Sequence, residues 1–277
     1  MGLRVNTNVF SMTAQRNLSS VSSRLSGNFA RLSSGLRIAT AADDAAGLGI
    51  SERLRAQVRS LDQAGRNAND GISLVQTAEG ALNETNANLV RMRELAVQAA
   101  NGTLNTGDRA ALDAEFDALI SEIDRVADQT DFNGISLFDG TTSSLTLQVG
   151  TEGSETITVS FENMTEGGLG LTNAASGSTF NLDTATNASS ALARIDTALN
   201  SVTSFRGDLG AIQNRLSSTS RSIQSTAENL SAAESRIRDV DVARETADLT
   251  RNSILQQAAT SILAQANVQP QLALGLL

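Results

Sequence analysis

The sequence predicts a mainly α protein, a long antiparallel coiled-coil or helix-bundle rod formed by both termini, with a small β-rich outer insert. Three observations carry this reading. In the C-terminal third Ile195, Val202, Leu209, Leu216, Ile223, Leu230 and Ile237 recur at every seventh residue, the column of a heptad seam. From Leu54 to Ala99 the apolar residues are spaced by three and four, which makes one stripe along a helix. Between these stretches the period falls to two and turn residues become frequent.

The seam is weak at the two ends of the chain, and near the C-terminus half of it is Ala. In the first element Leu18, Val21, Leu25 and Leu32 hold seam positions, but Asn28 takes the next one and Ser fills much of the flank. The second carries Leu54, Val58, Leu61, Ala68, Ile72, Val75, Ala78, Leu82, Leu89, Met92, Ala96 and Ala99. At the rise of an α-helix it is about 70 Å long, and Asn101-Gly102 stops it. A shorter helix follows, with Thr106 or Asp108 as N-cap and Leu112, Phe116, Leu119, Ile123 and Val126 as its stripe. It ends before Asp131-Phe132-Asn133-Gly134.

The period then becomes that of strands. Leu145, Leu147 and Val149 alternate with polar residues, as do Ile157, Val159 and Phe161, and turn residues fill Gly150–Ser154, so a β-hairpin is expected. Thr165–Ser190 is rich in Gly, Ser, Thr and Asn and reads as loop. No Gly or Pro interrupts Ala211–Gln269. One helix is therefore expected to run from Leu192 through Leu255, Ala259, Ile262 and Ala266 to Pro270, whose missing N–H ends it.

Single amphipathic helices with so little apolar area do not offset their own ordering entropy. Both termini thus need partner surfaces, supplied by each other and by neighbouring copies. A head-to-tail contact repeated by a fixed rotation without closing makes a helical filament, so periodicity alone points to a polymer subunit.

Composition removes most chemistry. The 277 residues carry a net charge of -9, with 40% hydrophobic but 3% aromatic side chains, and no Cys, His, Trp, Tyr or Lys. There is no thiol for a disulfide or zinc site, no imidazole base and no lysine nucleophile. The acidic balance and the few aromatic rings argue against nucleic-acid binding. No apolar run approaches the ~18 residues of a membrane span, and Met1–Gly35 lacks the apolar core of a signal peptide. The expected location is the cytoplasm, or outside the cell by a route that reads no ordinary signal peptide. Asp43-Asp44 and the group Asp239, Asp241, Glu245 and Asp248 lack the glycine and spacing of a calcium loop. Interleaved with Arg236, Arg238, Arg244 and Arg251, the second group reads as ion pairs. No cofactor or metal is implied.

Several blocks resemble bacterial flagellins. They are Leu32–Ser51 with its Ser-Ser-Gly-Leu-Arg-Ile and Asp-Asp-Ala-Ala-Gly-Leu, then Asn69-Asp70-Gly71-Ile72-Ser73, Thr77–Leu82 and Glu122–Val126 with Phe132-Asn133-Gly134. Towards the other end stand Arg206–Ala211, Ser235–Asp241 and Ile262–Asn267, in the same order and direction as in that family. The resemblance implies a subunit that self-assembles into the helical filament used for swimming, and no enzyme. It implies a filament core from 1–44 with 236–277, a helical rod from 45–139 with 188–235, and a variable outer part at 140–187. It implies export without a cleaved signal peptide, through the flagellar type III channel, to an extracellular filament. Partners implied are other copies of the chain, an export chaperone, and filament cap and junction proteins.

Some flagellins activate a Toll-like innate immune receptor through a patch that corresponds here to Arg91, Leu95 and Glu115. Arg91 and Leu95 share a helix face and are expected to flank the Leu89/Met92/Ala96 seam; Val90 stands where many agonists have Gln. Asn163-Met-Thr and Asn187-Ala-Ser match a glycosylation acceptor, and Thr141–Ser144 and Ser176–Thr179 offer hydroxyls for O-linked sugars. Two other readings are a hook–filament junction protein and an enzyme with a carboxylate site in the outer insert. The zinc-protease form of the latter needs His, which the chain lacks.

Overall fold

In a computed structural model of the chain, residues 7–172 and 180–274 are described, with side chains up to Gln269. The elements in order are α1 (Val9–Ser34), α2 (Ala45–Ala99), α3 (Thr106–Gln129), β1 (Asp131–Phe132), β2 (Ile135–Ser136), β3 (Ser144–Gln148), β4 (Thr156–Ser160), α4 (Ala185–Arg238) and α5 (Val242–Leu274). They form two compact units, Met1–Val58 with Glu228–Leu277, and Arg59–Ala227.

In the second unit α2 packs against both α3 and α4. Gly65 lies beside Ile223, Glu79 beside Arg206, and Arg93 pairs with Asp196 at 2.7 Å, so α2 and α4 run antiparallel. On α3, Arg109 donates to the Ala99 carbonyl at 3.0 Å and Glu115 pairs with Arg91, which folds α3 back along α2. The cap of α3 is Asn105, one residue before the expected candidates. Its side chain accepts from the Asp108 amide while Asp108 accepts from the Asn105 amide, a reciprocal capping box.

The hairpin forms as its alternation predicts, with Leu145 opposite Val159 and Leu147 opposite Ile157. It lies on α2, where Asn67 donates to the Gln148 carbonyl at 2.9 Å and Leu147 rests against Gly71. Phe138 makes edge contacts with Phe161 and Phe205, tying this region to α4. Asp124 and Asp113 of α3 accept from the Glu166 and Leu182 amides. Part of the expected loop is helix, since α4 begins at Ala185 rather than Leu192. Residues 173–179, with the Ser176–Thr179 hydroxyls, lie outside the described residues.

Two expectations for the C-terminal helix are corrected. It breaks at Asp239–Asp241, because Val240 gives its N–H to the Gly35 carbonyl at 3.0 Å and Arg37 gives its own to the Arg238 carbonyl at 2.7 Å. Leu36 and Asp239 thus form an antiparallel bridge, and α5 restarts with the Asp241 carboxylate accepting from the Arg244 amide. On the other strand of this bridge α1 ends at Gly35, whose φ of 72° suits a residue without Cβ. Pro270 also fails to end the helix, which continues to Leu274. The carbonyl that Pro270 leaves without its usual donor is that of Ala266, and it accepts instead from the Asn8 side-chain amide at 2.7 Å.

Candidate functional site: the terminal helix pair

α1 and α5 run antiparallel, with Asn8 beside Ala266 at one end and Arg31 beside Glu245 at the other. The buried positions of α1 are Ala14, Val21 and Asn28, and those of α5 include Glu245, Asn252 and Ala266. Within each helix these are multiples of seven apart, so one heptad column from each helix makes the contact. Most of these buried residues are small or polar. Leu18, Leu25, Leu32, Leu249 and Leu263 are half-buried, while other large apolar side chains are exposed: Val9, Phe10, Met12 and Phe29 on α1, and Val242, Ile254, Leu255, Ile262 and Val268 on α5. Phe10 and Ile262 are each 57% exposed and line a groove with Ala14 and Val268.

Of the residues expected in the filament core, Val21 and Ala266 are buried in this contact and Leu18, Leu25, Leu32 and Ala259 are half-buried. Leu255 and Ile262 lie outside the seam, on the exposed face. Small Ala259 and Ala266 let the two backbones approach, which turns the Leu255/Ile262 column away. Of the expected rod seam, Leu61, Val75, Phe116, Ile123, Ile195, Val202, Leu209, Leu216 and Ile223 are buried. Leu54, Val58, Ile72, Leu112, Leu119, Leu230 and Ile237 are half-buried, while Leu74 and Ile120, beside expected positions, are buried.

The sequence reading missed what Asn28 does. Its amide donates to Glu245 Oε1 at 2.6 Å, its carbonyl oxygen accepts from the Asn252 amide at 2.8 Å, and Arg31 Nε donates to the same Glu245 oxygen at 2.8 Å. A polar residue at a seam position was the available signal. Of the other acidic residues singled out earlier, Asp43, Asp44, Asp241 and Asp248 have local partners, and of the interleaved arginines Arg238 pairs with Glu52 rather than within the group. Asp43 accepts from the Ala39 and Thr40 amides and the Thr40 hydroxyl, and these bonds, the Thr40 amide first, hold its carboxyl below the usual range. Asp44 accepts from the Gly47 amide at the start of α2, and Asp248 pairs with Arg251. Among the described residues no three acidic groups gather as metal ligands, and no described helix is long and apolar enough to cross a membrane.

Arg91 is half-exposed and pairs with Glu115 at 2.7 Å and Glu94 at 3.0 Å. Leu95, expected to flank the seam, is 1% exposed. Packing α3 as well as α4 on α2 widens the buried face beyond a two-helix seam, and Leu95 falls inside it.

Long helices, with a terminal pair that leaves several large apolar residues uncovered, are the architecture of a helical-bundle protein with an apolar face open to a partner. Comparison with known proteins gives the family. The model of the bacterial flagellin N-terminal helical region matches residues 5–143, and that of the C-terminal helical region matches residues 192–277. The chain is 49% identical to a flagellin of Halalkalibacterium halodurans and 45% identical to one of Bacillus subtilis, covering 99% of this chain in both and 99% and 100% of theirs. It is 42% identical to a flagellar filament 33 kDa core protein of Treponema phagedenis, over 99% of each chain. The crystal structure of Bacillus cereus flagellin aligns with a TM-score of 0.50 at 34% identity, covering 61% of this chain and 94% of that one. A putative flagellar hook-associated protein from Vibrio parahaemolyticus shares the fold, with a TM-score of 0.59 at 17% identity over 71% of this chain and all of that one. The chain belongs to the bacterial flagellin family, a family of structural proteins, and is a subunit of the flagellar filament.

Proposed function

We propose that the subunit polymerises through its terminal helix pair, with neighbouring copies covering the outward faces of α1 and α5. The observation that carries this is the exposure of Phe10, Phe29, Ile254 and Ile262 on helices whose Leu18, Leu25, Leu32, Leu249 and Leu263 are themselves only half-buried. Fully burying one such side chain is worth roughly 1.5–3 kcal/mol, so several per copy supply a substantial driving force for growth. In this reading 1–44 with 236–277 makes the filament core, 45–139 with 188–235 the surrounding helical layer, and 140–187 the outer surface. The swimming cell would export the chain through the flagellar type III channel to an extracellular filament. Export chaperone, filament cap and junction proteins would be its partners on the way.

Deleting Met1–Gly35 or Asp241–Leu277 tests the reading. Each truncated chain should keep the helical signal of the Arg59–Ala227 unit and form no filaments by negative-stain microscopy after seeding. Normal filaments from either truncation would overturn it.

A second reading concerns Arg91 and Glu115, which present an exposed ion pair on neighbouring helices. This pair is proposed as a contact for a Toll-like receptor, with buried Leu95 setting the position of its backbone. Soluble Arg91→Ala chain that activates the receptor as fully as the parent would refute it.

A further inference from the structure

We propose that the buried polar layer of Asn28, Glu245 and Asn252, with half-buried Arg31 at its edge, is a pairing code that makes α1 accept α5 and reject a second α1. Asn28, Glu245 and Asn252 are 3%, 8% and 8% exposed, and all three sit in the buried heptad columns. Within the pair their needs are met: Glu245 receives Asn28 and Arg31, and Asn28 receives Asn252. The bonds are complementary between the helices, because α1 brings the cation and α5 the anion.

Like pairings have no such solution. Two α1 helices joined at this layer set Arg31 against Arg31 with no acceptor, and two α5 helices set Glu245 against Glu245. A pairing slipped by one heptad sets apolar Val21 in the place of Asn28 beside Glu245 and Asn252. Two α5 helices leave Glu245, 8% exposed, without its donors, and the other pairings take from Asn28 or Asn252 the partners they hold here, which costs more than the loss of one exposed contact. The apolar part of the seam discriminates less, since Ala14, Val21 and Ala266 are small, non-directional surfaces, and the other polar contacts of the pair, Asn8 with Ala266 and Ser11 with Asn267, lie at its far end. The problem is acute where copies crowd together with Phe10, Phe29 and Ile262 uncovered. The inference rests on the terminal pair being the assembling element, and the layer then protects each copy from joining its neighbour through the wrong helix.

The native chain contains no cysteine, so introduced thiols report contacts unambiguously. Ser11 and Asn267 touch at 2.6 Å. In dilute full-length protein, Ser11→Cys with Asn267→Cys treated with a short bis-maleimide should crosslink within the chain. Ser11→Cys alone reports parallel pairing of two α1 helices and Arg31→Cys alone their antiparallel pairing at this layer, and each should give like-helix dimers at about a tenth of that yield or less. With Asn28→Leu, Glu245→Leu and Asn252→Leu added, helix content by circular dichroism should hold while like-helix dimers rise about tenfold. In a second series Glu245→Arg should lose the crosslink within the chain and Arg31→Glu with Glu245→Arg should regain it. Unchanged selectivity in the leucine variant overturns the proposal. If that variant loses helix, failure of the charge exchange to rescue overturns it. Filament growth is scored separately by microscopy, so a chain that crosslinks selectively but never polymerises refutes the assembly reading and leaves the pairing code standing.

Discussion

The Asn8 side-chain amide donates at 2.7 Å to the carbonyl of Ala266, the one carbonyl of α5 that Pro270 deprives of its helical donor. The same Asn8 caps α1, its Oδ1 accepting from the Ser11 amide at 3.0 Å. One residue thus begins the first helix and repairs the last. Asn8→Ala should destabilise the terminal pair by about 1–2 kcal/mol, from the lost cap and the unpaired carbonyl. Pro270→Ala restores a backbone donor, so Asn8→Ala should cost less in that background, with a coupling of about 1 kcal/mol. Thermal unfolding of the four chains measures it, and strict additivity would disprove the link.

Asp43 and Asp117 should respond to pH in opposite directions. Asp43 is depressed in the folded chain, chiefly by the Thr40 amide. It therefore contributes stability above its unfolded value of about 4, and that contribution is lost as pH falls through the lower folded value. Asp43→Ala should lower the melting temperature at neutral pH and approach the parent in strong acid. Asp117 is raised by burial first, then by Asp113 and Asp183. Its ionised form is disfavoured by folding, so stability falls as pH rises through the raised value. Asp117→Asn should raise the melting temperature at neutral pH and lose that advantage as pH drops. Parallel pH curves for variant and parent would contradict either assignment.

At Gly71 an added Cβ meets Leu147 Cδ1 at 2.3 Å and Leu216 Cδ1 at 3.3 Å, whereas at Gly80 it meets nothing within 4 Å. Gly80→Ala should stabilise α2 by about 0.5–1 kcal/mol. Gly71→Ala should fall short of that gain because the hairpin must shift, and should recover much of it alongside Leu147→Ala. Urea unfolding checks the difference, and equal gains at both glycines would deny the close packing of β3 on α2.

Arg194 holds the segment after β4, donating from Nε to the Gly170 carbonyl at 2.9 Å with its guanidinium 4.5 Å from the centre of the Phe180 ring. Arg194→Lys keeps the charge but loses the planar fork. Hydrogen exchange at Leu169 and Leu171 should speed up several-fold while α4 keeps its protection. Unchanged exchange there would show that the segment holds itself.

The helices and the hairpin register were legible because Ile195–Ile237 and Leu145–Phe161 repeat with periods set by local backbone geometry. The break at Val240 was not, since no Gly or Pro marks it and its N–H is taken by Gly35, which lies 205 positions earlier. Pro270 misled for the same reason, its stop signal being cancelled from the other end of the chain. Faces were harder to read than elements. Leu95 turned inward because a third helix arrives, and Ile262 turned outward because Ala266 makes the tighter contact. Asn28 was visible as an anomaly, but its answer lay on α5.

The contact between Asn8 and Ala266 spans 258 positions, and this separation acts as a clock. Residues 59–227 contain both halves of their own compact unit, so they can fold as soon as they are together. The terminal pair closes only when the last stretch of chain is present, with the largest loop-closure entropy in the molecule. A chain cut between the end of that unit and α5 keeps a folded middle but never completes the pair, so the presence of α5 is checked at the moment of joining by topology alone.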